Sequence, residues 1–413
     1  MADGKSWSVA RLVGGIVLAQ TCGMMGSAAF ASTLTELARL WHLDSTHAGW
    51  ISGAYFLGYT IAVPVLVALT DRFDPRKIYL GGCVVGACAG IAFSRFANGL
   101  WSASLLQAMA GIGVGATYMP GLRILTTRLG ERTRLRAIPY YTTSFAVGTS
   151  LSYLVSGWVA ARYGWRSAFL ATGFGPLIAA LMVMLATWKT APVQQARPTR
   201  HPLDFRPVLR NRQAMAYVFA YGGHMWEMFA FRAWLPTFLL FAWHYYGRAN
   251  PNIAVARWSM LIVLIGVPAS ILGAESVDSA SRNRNIRWFQ FASIGLCLLG
   301  VAGLGFSLGL TLVALFAYNV AIAADSGALT AGAVASARAD EQGVTLAVYS
   351  LIGFLGAGIG PLIAGRALDM SGGFQSVRAW YFGFAAMGVG SALAAASITV
   401  TIWRARQQWP QVS

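Results

Sequence analysis

Long apolar blocks, separated by short polar stretches, set the strictest limit on how this chain can fold. Of its 413 residues, 56% are hydrophobic and 11% are charged, against roughly 25% charged residues in soluble domains. A helix needs roughly 20 apolar residues to cross the ~30 Å hydrocarbon core of a bilayer. Backbone groups in lipid must be hydrogen-bonded internally, which leaves helices and closed barrels. Because the blocks are unbroken and do not alternate, the sequence predicts an all-α membrane protein.

The apolar blocks divide the chain into twelve predicted transmembrane helices. They are expected at 11–34, 48–70, 78–97, 101–124, 137–161, 167–188, 213–240, 253–275, 286–307, 309–334, 342–366 and 376–403. One sizeable polar segment, 189–212, is rich in proline and arginine and lies near the midpoint of the chain. We therefore predict two pseudo-symmetric bundles of six helices, 1–188 and 213–413, joined by a cytoplasmic linker.

The basic residues are confined to particular loops. The formal net charge is +17, from 31 Lys and Arg against 14 Asp and Glu. In a soluble chain this excess would favour nucleic-acid binding. With the N-terminus inside, however, most basic residues fall in the loops of one side, as the positive-inside rule requires. We therefore predict no nucleic-acid partner, a bacterial inner-membrane location, and cytoplasmic N- and C-termini.

Cysteine and histidine usage gives no indication of a metal site or a cofactor. All four cysteines fall inside apolar spans, no CxxC pair occurs, and the five histidines lack the spacing of metal ligands. The phosphate-binding loop typical of ATP-driven proteins is also missing from the sequence. The sequence therefore predicts a protein that is not an enzyme, with neither a metal nor a cofactor.

The loop after the second predicted helix is the most densely charged short stretch, Asp71-Arg72-Phe73-Asp74-Pro75-Arg76-Lys77. It resembles the signature loop of the major facilitator superfamily, Gly-x-Leu-x-Asp-Arg-x-Gly-Arg-Arg/Lys, which lies at the same place in that family. The matching positions are Leu69, Asp71, Arg72, Arg76 and Lys77. Val67 replaces the first glycine of the signature, and Asp74-Pro75 replaces the second.

This resemblance extends over the whole chain and implies the fold of that superfamily, with transport by alternating access. In the family, the loop aspartate braces the inner end of the second span and forms a gate. The resemblance therefore assigns gate residues to Asp71, Arg72, Arg76 and Arg123. Proton antiporters of the family carry an arginine and a glutamine in the fourth span, where this chain has Gln107 and Ala110. That departure argues against exchange of drugs for protons.

Ionisable side chains in the middle of a span cost roughly 2.5–3.5 kcal/mol each on insertion scales. The few that this chain has are therefore candidate functional groups. The seventh span contains His224, Glu227 and Arg232, and the tenth contains Asp325. At ~1.5 Å per residue, Glu227 lies beyond the midplane of the bilayer. His224 and Glu227 share a helix face, whereas Glu227 and Arg232 would meet only on a distorted helix.

Two interpretations of these groups stay open. In the first, Arg232 binds an anionic group of the substrate, while Glu227, Asp325 and His224 carry a coupling proton, since burial favours the neutral form of a carboxyl group. In the second, Glu227 and Arg232 form a structural or gating ion pair. The resemblance implies that the first, fourth, seventh and tenth spans line a central cavity. This adds further candidates for substrate binding: Trp226, Tyr118, Asn319, Gln20 and Met24.

The sequence thus predicts a monomeric secondary transporter that moves a small organic anion by proton-coupled symport. The alternative is proton-driven efflux of lipophilic cations, in which Glu227 and Asp325 would bind the drug. A neutral substrate such as a sugar, and a membrane receptor without transport, are further alternatives. The expected partners are the substrate, protons and the lipid bilayer.

Overall fold

The structure, a computed structural model, describes residues 2–70, 72–188, 205–249, 251–275, 281–338 and 341–408. Within these ranges every regular element is helical, which confirms the predicted all-α class. The helices are α1 (Ala2–Gly23), α2 (Ala29–Leu40), α3 (Ser45–Thr70), α4 (Pro75–Phe96), α5 (Leu100–Arg128), α6 (Glu131–Thr187), α7 (Arg206–Arg210), α8 (Arg212–Tyr245), α9 (Pro251–Leu264), α10 (Gly266–Glu275), α11 (Arg282–Cys297), α12 (Leu299–Ala302), α13 (Leu308–Ala324), α14 (Ser326–Ser336), α15 (Gln342–Met370) and α16 (Val377–Gln408), with a 3-10 turn at Gly303–Gly305.

The described helices coincide with the twelve predicted spans. Eight segments in the described ranges are long and apolar enough to cross a membrane. One of them, α6, contains two predicted spans and changes direction at Gly164, whose φ of 80° is in the left-handed region. The three remaining spans correspond to α1 with α2, to α5 and to α8. The predicted twelve-helix membrane fold is therefore confirmed.

Three spans late in the chain are interrupted between their ends, one of them at Leu298 between α11 and α12. Helix α9 ends at Leu264 and α10 begins at Gly266, two residues before Pro268, which has no N–H group to continue the ladder of backbone hydrogen bonds. Helix α13 ends at Ala324 and α14 begins at Ser326. Asp325 occupies the break between α13 and α14, and its side chain does not cap α14. Its carboxylate is therefore available to other helices.

The chain packs as two compact units. The first unit comprises Met1–Leu43, Ala54–Thr199 and Asn250–Leu264, and the second comprises Asp44–Gly53, Arg200–Ala249 and Ile265–Ser413. Each unit contains most of one predicted bundle. The exceptions are the start of α3, which clusters with the second unit, and α9, which clusters with the first. Of the predicted linker, 189–204 lies outside the described residues.

Helix α8 lies at the core of the second unit, where it packs against α13, α14, α15 and α16. The approach to α15 is close because Gly356 and Gly360 face the backbone of α8 at Gly222 and Trp226, where a Cβ atom would overlap it. Small residues let helices pack tightly where lipid offers no hydrophobic drive for association. Between Gly222 and Leu239 nearly every side chain of α8 is buried. The ionisable residues of this stretch are therefore inside the unit.

The first turn of α3 is held inside the second unit by a carboxylate of α15. Asp369 accepts hydrogen bonds from the backbone N–H groups of Ser45, at 2.9 Å, and Thr46, at 2.6 Å. The hydroxyl of Thr46 donates a further bond of 2.5 Å to the same side chain. The first N–H groups of a helix have no partner within the helix, and a negative charge there also interacts favourably with the helix dipole.

Candidate functional site

Four ionisable side chains are buried in the second unit. Glu227 is 1% exposed, Asp325 3%, His224 2% and Arg232 7%. Three of them belong to α8 and the fourth to the break between α13 and α14. Among the described residues of the first unit, those buried as whole residues carry no charge, although the side chain of Arg128 is only 6% exposed where it faces Asp74. The structure therefore places the predicted proton-coupling residues together in one unit.

Glu227 has a hydroxyl partner on each carboxylate oxygen. The Tyr318 hydroxyl, from α13, donates to Oε1 at 2.8 Å, and the Ser391 hydroxyl, from α16, donates to Oε2. Two donors stabilise the ionised carboxylate, whereas burial opposes it. These opposing effects suit a group that alternates between charged and neutral states. Sequence analysis did not identify either partner, because each is far from Glu227 along the chain.

Asp325 joins three helices. Its Oδ1 lies 2.7 Å from Nδ1 of His224 on α8, and its Oδ2 accepts a hydrogen bond of 3.2 Å from the amide of Gln290 on α11. The other ring nitrogen of His224, Nε2, is buried without a hydrogen-bond partner among the described residues. The imidazole is therefore held to Asp325 through one ring nitrogen only.

Arg232 places a guanidinium group in the apolar core of the second unit. Its Cζ lies 5.3 Å from the centre of the Phe229 ring, close enough for a cation–π contact. Helix α8 runs unbroken from Arg212 to Tyr245, and five residues on a regular helix correspond to a rotation of roughly 140°. Glu227 and Arg232 thus point in different directions from the helix axis. The role of Arg232 in anion binding stays a prediction.

The two other substrate-binding candidates of the second unit face neighbouring helices. The indole N–H of Trp226 donates a hydrogen bond of 3.0 Å to the carbonyl of Ala386 on α16. The amide of Asn319, on α13, lies against Gly266 at the start of α10. Both side chains have defined positions inside the unit, and their contact with substrate stays a prediction.

The candidates of the first unit meet at a tyrosine that sequence analysis did not single out. The Tyr141 hydroxyl, on α6, lies 3.0 Å from Oε1 of Gln20 and 2.7 Å from the carbonyl of Tyr118. The rings of Tyr118 and Tyr141 are stacked with centroids 5.7 Å apart. Met24 is also buried and packs against Gly148. Gln20, Tyr118 and Tyr141 therefore form one uncharged cluster.

Among the described residues of the predicted gate loop, the aspartate that forms ion pairs is Asp74. Asp71 lies outside the described residues, and Arg72 is exposed. Asp74 instead receives two hydrogen bonds from the guanidinium of Arg76, at 2.7 and 2.9 Å, and lies 3.4 Å from Nη2 of Arg128. It also caps α4 by accepting from the backbone N–H of Arg76. Arg123 is partly buried, and its carbonyl accepts a bond from the hydroxyl of Thr127.

The electrostatics of this loop favour an ionised Asp74. Partial burial on its own would raise the pKa of Asp74, but the hydrogen bonds and charge of Arg76 and the charge of Arg128 outweigh burial, so the pKa is lowered from its ordinary value. The signal was present in the sequence. An aspartate directly before a proline is typical of a helix N-cap followed by proline at the first helical position. Asp74 therefore stabilises the start of α4 and links it to the end of α5.

The described residues contain no group of three or more His, Cys, Asp or Glu side chains that could hold a metal ion.

The sequence of this chain is similar to those of known transporters. Residues 16–361 match the family described as the Major Facilitator Superfamily. A gallate transporter of Pseudomonas putida is 24% identical over 373 residues, which cover 81% of this chain and 80% of the relative. A galacturonate transporter of Dickeya chrysanthemi is 23% identical over 272 residues, which cover 61% of this chain and 76% of the relative.

The fold is also similar to that of a solved transporter. A bacterial homologue of the human lysosomal transporter Spinster, in an inward-facing and unoccupied conformation, superposes with a TM-score of 0.79. The alignment covers 98% of this chain and 99% of that structure, at 14% sequence identity. At this level of identity the similarity concerns the fold alone.

Proposed function

Because the chain belongs to the major facilitator superfamily, we propose that this transporter moves a small organic anion together with protons by alternating access. The observation that carries the proposal is the placement of Arg232, Glu227, His224 and Asp325 inside one unit. Burying ionisable groups in a membrane protein is costly, and those that occur mark substrate or proton pathways. The second unit would thus supply both the fixed positive charge and the exchangeable protons.

The proposed substrate is a carboxylate on a small hydroxylated ring. Both sequence relatives described above are named for compounds that combine a six-membered ring, several hydroxyl groups and one carboxylate. A guanidinium group matches the planar geometry of a carboxylate and can donate two parallel hydrogen bonds to it. Arg232 is the proposed partner of this carboxylate. Trp226, Asn319, Gln20, Met24 and Tyr118 are proposed as uncharged contacts.

The proposed coupling follows from charge balance. A substrate carboxylate that pairs with Arg232 adds one negative charge to a region that already holds Glu227 and Asp325. In a medium of low dielectric constant that added charge is costly. Protonation of one of the two carboxylates, or of His224, would offset it. The substrate anion and a proton would therefore be bound together and carried together, as symport requires.

The alternative function, efflux of lipophilic cations, fits the geometry less well. A cation site needs a carboxylate that is directed at the ligand. Both oxygens of Glu227 accept hydrogen bonds from hydroxyl groups, and those of Asp325 contact His224 and Gln290. These partners would have to be displaced before either carboxylate could bind a drug.

We also propose that the protein acts as a monomer in the bacterial inner membrane, with both termini in the cytoplasm. The distribution of basic residues over the loops supports the orientation of the termini. In this orientation Asp74, Arg76 and Arg128 lie on the cytoplasmic side, together with Asp71, Arg72 and Arg123. This loop region is the proposed inner gate.

Transport by the purified protein in liposomes tests the function. Counterflow of labelled gallate and galacturonate is measured for the wild type, for Arg232→Ala and for Arg257→Ala, an exposed arginine of α9. We expect uptake of at least one of these anions by the wild type and by Arg257→Ala, and a loss of about tenfold or more for Arg232→Ala, since a hydrogen bond to a charged group is worth roughly 1.5–3 kcal/mol.

Two results would contradict the proposal. Uptake by Arg232→Ala at the rate of the wild type would remove the arginine from the substrate site. Efflux of a cationic dye that requires Asp325, in the absence of any anion uptake, would establish the alternative function instead.

A further inference from the structure

One face of α11 carries polar side chains at regular spacing inside the second unit. Arg287, Gln290 and Ser293 follow one another at intervals of three residues, which places them on the same face of the helix. Gln290 and Ser293 are each 1% exposed, and Arg287 is partly buried. Polar groups buried this deeply are expected to have hydrogen-bond partners. The polar face of α11, defined by these three residues, therefore calls for an account of its contacts.

This polar face reaches both buried carboxylates of the second unit. The amide of Gln290 donates its hydrogen bond of 3.2 Å to Oδ2 of Asp325. One turn further along α11, the hydroxyl of Ser293 lies close to the carboxylate of Glu227. Neighbouring turns of one helix thus face the two carboxylates, and α11 lies beside the route from one to the other.

Four buried polar atoms on or beside this face have no hydrogen-bond partner among the described residues. They are Oε1 of Gln290, Oγ of Ser293, Nε of Arg287 and Nε2 of His224. Ser293 is therefore near Glu227 without being hydrogen-bonded to it. Leaving a buried polar group unpaired costs roughly 1–3 kcal/mol. Buried water, which both donates and accepts, typically makes about three hydrogen bonds to such groups, so this set of atoms matches the chemistry of bound water.

The groups around the polar face decide where a proton can reside. The charged and titratable side chains are Glu227 and His224 of α8, Asp325 at the break before α14, Tyr318 of α13, and Arg287 and Cys297 of α11 itself. An arginine keeps its charge, and phenols and thiols ordinarily release their protons in alkaline solution. Near neutral pH the exchangeable proton therefore belongs to the two carboxylates and the imidazole.

We propose that Gln290 and Ser293 are positioning residues of a proton relay between Asp325 and Glu227, in which water bound at Oε1 of Gln290 and Oγ of Ser293 carries the proton. The protonated carboxyl group of Asp325 gives its proton to the water, and the water gives one of its own protons to the carboxylate of Glu227. One O–H bond breaks at Asp325, one forms at Glu227, and the water is regenerated. The relay rests on the proposed proton coupling and adds the route that the proton follows.

Proton entry into proteoliposomes tests the relay. A pH-sensitive dye inside reports acidification when gallate or galacturonate is added outside, and exchange of labelled for unlabelled anion at equal pH reports movement of the substrate alone. Gln290→Leu keeps the approximate volume of the side chain but removes the amide, and Ser293→Ala removes the hydroxyl. We expect each variant to acidify the interior about tenfold more slowly than the wild type, with exchange nearly unchanged.

Two further variants separate a relay from a general defect. The hydroxyl of Ser336 bonds to the carbonyl of Ala333 at the end of α14 that is remote from Asp325, so Ser336→Ala should match the wild type in both assays. The double variant Gln290→Leu/Ser293→Ala should lose about as much as either single variant, because residues that act on one route have non-additive effects.

Each contrary result has a defined meaning. Acidification by the wild type and by both single variants at one rate would overturn the relay and leave the proposed coupling standing. Equal losses of acidification and of exchange would make the two residues structural and would also overturn the relay. A loss of about 100-fold in the double variant would assign them to separate steps. An absence of acidification by the wild type with either anion would overturn the coupling, and the relay with it.

Discussion

The two compact units bury their polar side chains in different ways. The first unit buries uncharged groups, such as Gln20 and Gln107, and its best-defined ion pairs join Asp74 to Arg76 and Arg128 near the loop before α4. The second unit buries charged groups near the middle of its spans. Burial of a charge is far more costly than burial of an amide or hydroxyl. We therefore propose that the second unit carries the chemistry of transport.

Asp325 offers the strongest test of this contrast. Replacement by Asn removes the charge that faces His224, and we expect proton-driven uptake of the anion to fall by about 30-fold or more, since the buried contact is worth roughly 2–3 kcal/mol. Uptake into proteoliposomes with an imposed pH gradient measures the effect. Glu275→Gln, at an exposed carboxylate at the end of α10, is the control and should behave as the wild type. Equal activity of Asp325→Asn and Glu275→Gln would show that the buried charge of Asp325 is not needed for transport.

The hydroxyl partners of Glu227 should have a smaller effect. Ser391→Ala and Tyr318→Phe each remove one donor to the carboxylate, and we expect each variant to lose about tenfold in the rate of proton-coupled uptake. Exchange of labelled for unlabelled substrate at equal pH should change less. This split would identify both residues as positioning groups for proton transfer. A parallel loss in both assays would instead indicate a general defect of the folded protein.

Substitution of Asp74 tests how much the ion pairs of the first unit contribute to stability. Asp74→Asn keeps an acceptor for the helix cap but removes the charge that faces Arg76 and Arg128. We expect the free energy of unfolding to fall by about 1 kcal/mol, with little effect on the substrate specificity of transport. Thermal unfolding in detergent measures the change. Arg72→Ala, at an exposed position of the same loop, should change the unfolding temperature by much less.

The contribution of Asp74 to the stability of the folded protein should also depend on pH. Its pKa is lowered in the folded protein, so the stabilisation is present above the unfolded value of about 3.9 and is lost as the pH falls through the lower folded value. The difference in unfolding temperature between the wild type and Asp74→Asn should therefore be constant near neutral pH and shrink in acid. A difference that grows in acid would contradict the assignment.

Among these variants, we expect the smallest effect on transport from a substitution in the uncharged cluster of the first unit. Tyr141→Phe removes the hydroxyl that contacts Gln20 and the carbonyl of Tyr118, which should reduce stability by about 0.5–1.5 kcal/mol. The dependence of transport on the pH gradient should not change. A shift in that dependence would show that proton coupling also involves the first unit.

The fold could be predicted from the sequence because each apolar block has the length of a span, and lipid leaves the backbone few alternatives. The ionisable candidates could be found for the same reason, since a charge within an apolar block is conspicuous. Their partners could not be found. Tyr318 lies 91 residues and Ser391 164 residues from Glu227, and neither differs in type from many other polar residues. Only the packing of α8 against α13 and α16 brings them together.

The loop before α4 shows a different limit of prediction from the sequence. Resemblance to the family directs attention to Asp71, because that position matches the signature. The departure at Asp74-Pro75 is also informative, since it creates a helix cap and a carboxylate for Arg76 and Arg128. Likewise Gln107 was noted only as the replacement of a family arginine, and its place in a cavity follows from the faces of α4, α5 and α6. The cap at Asp74-Pro75 can be identified from the local sequence. The position of Gln107 in the lining of a cavity depends on tertiary packing.

Proton-coupled transport as proposed requires that the second unit binds a proton together with the anion, through Glu227. A pH-sensitive dye trapped inside proteoliposomes measures proton entry directly when the transported anion is added outside. Acidification of the interior by the wild type, and its loss in Glu227→Gln while substrate exchange continues, is the predicted result. Acidification by Glu227→Gln at the wild-type rate would contradict the account.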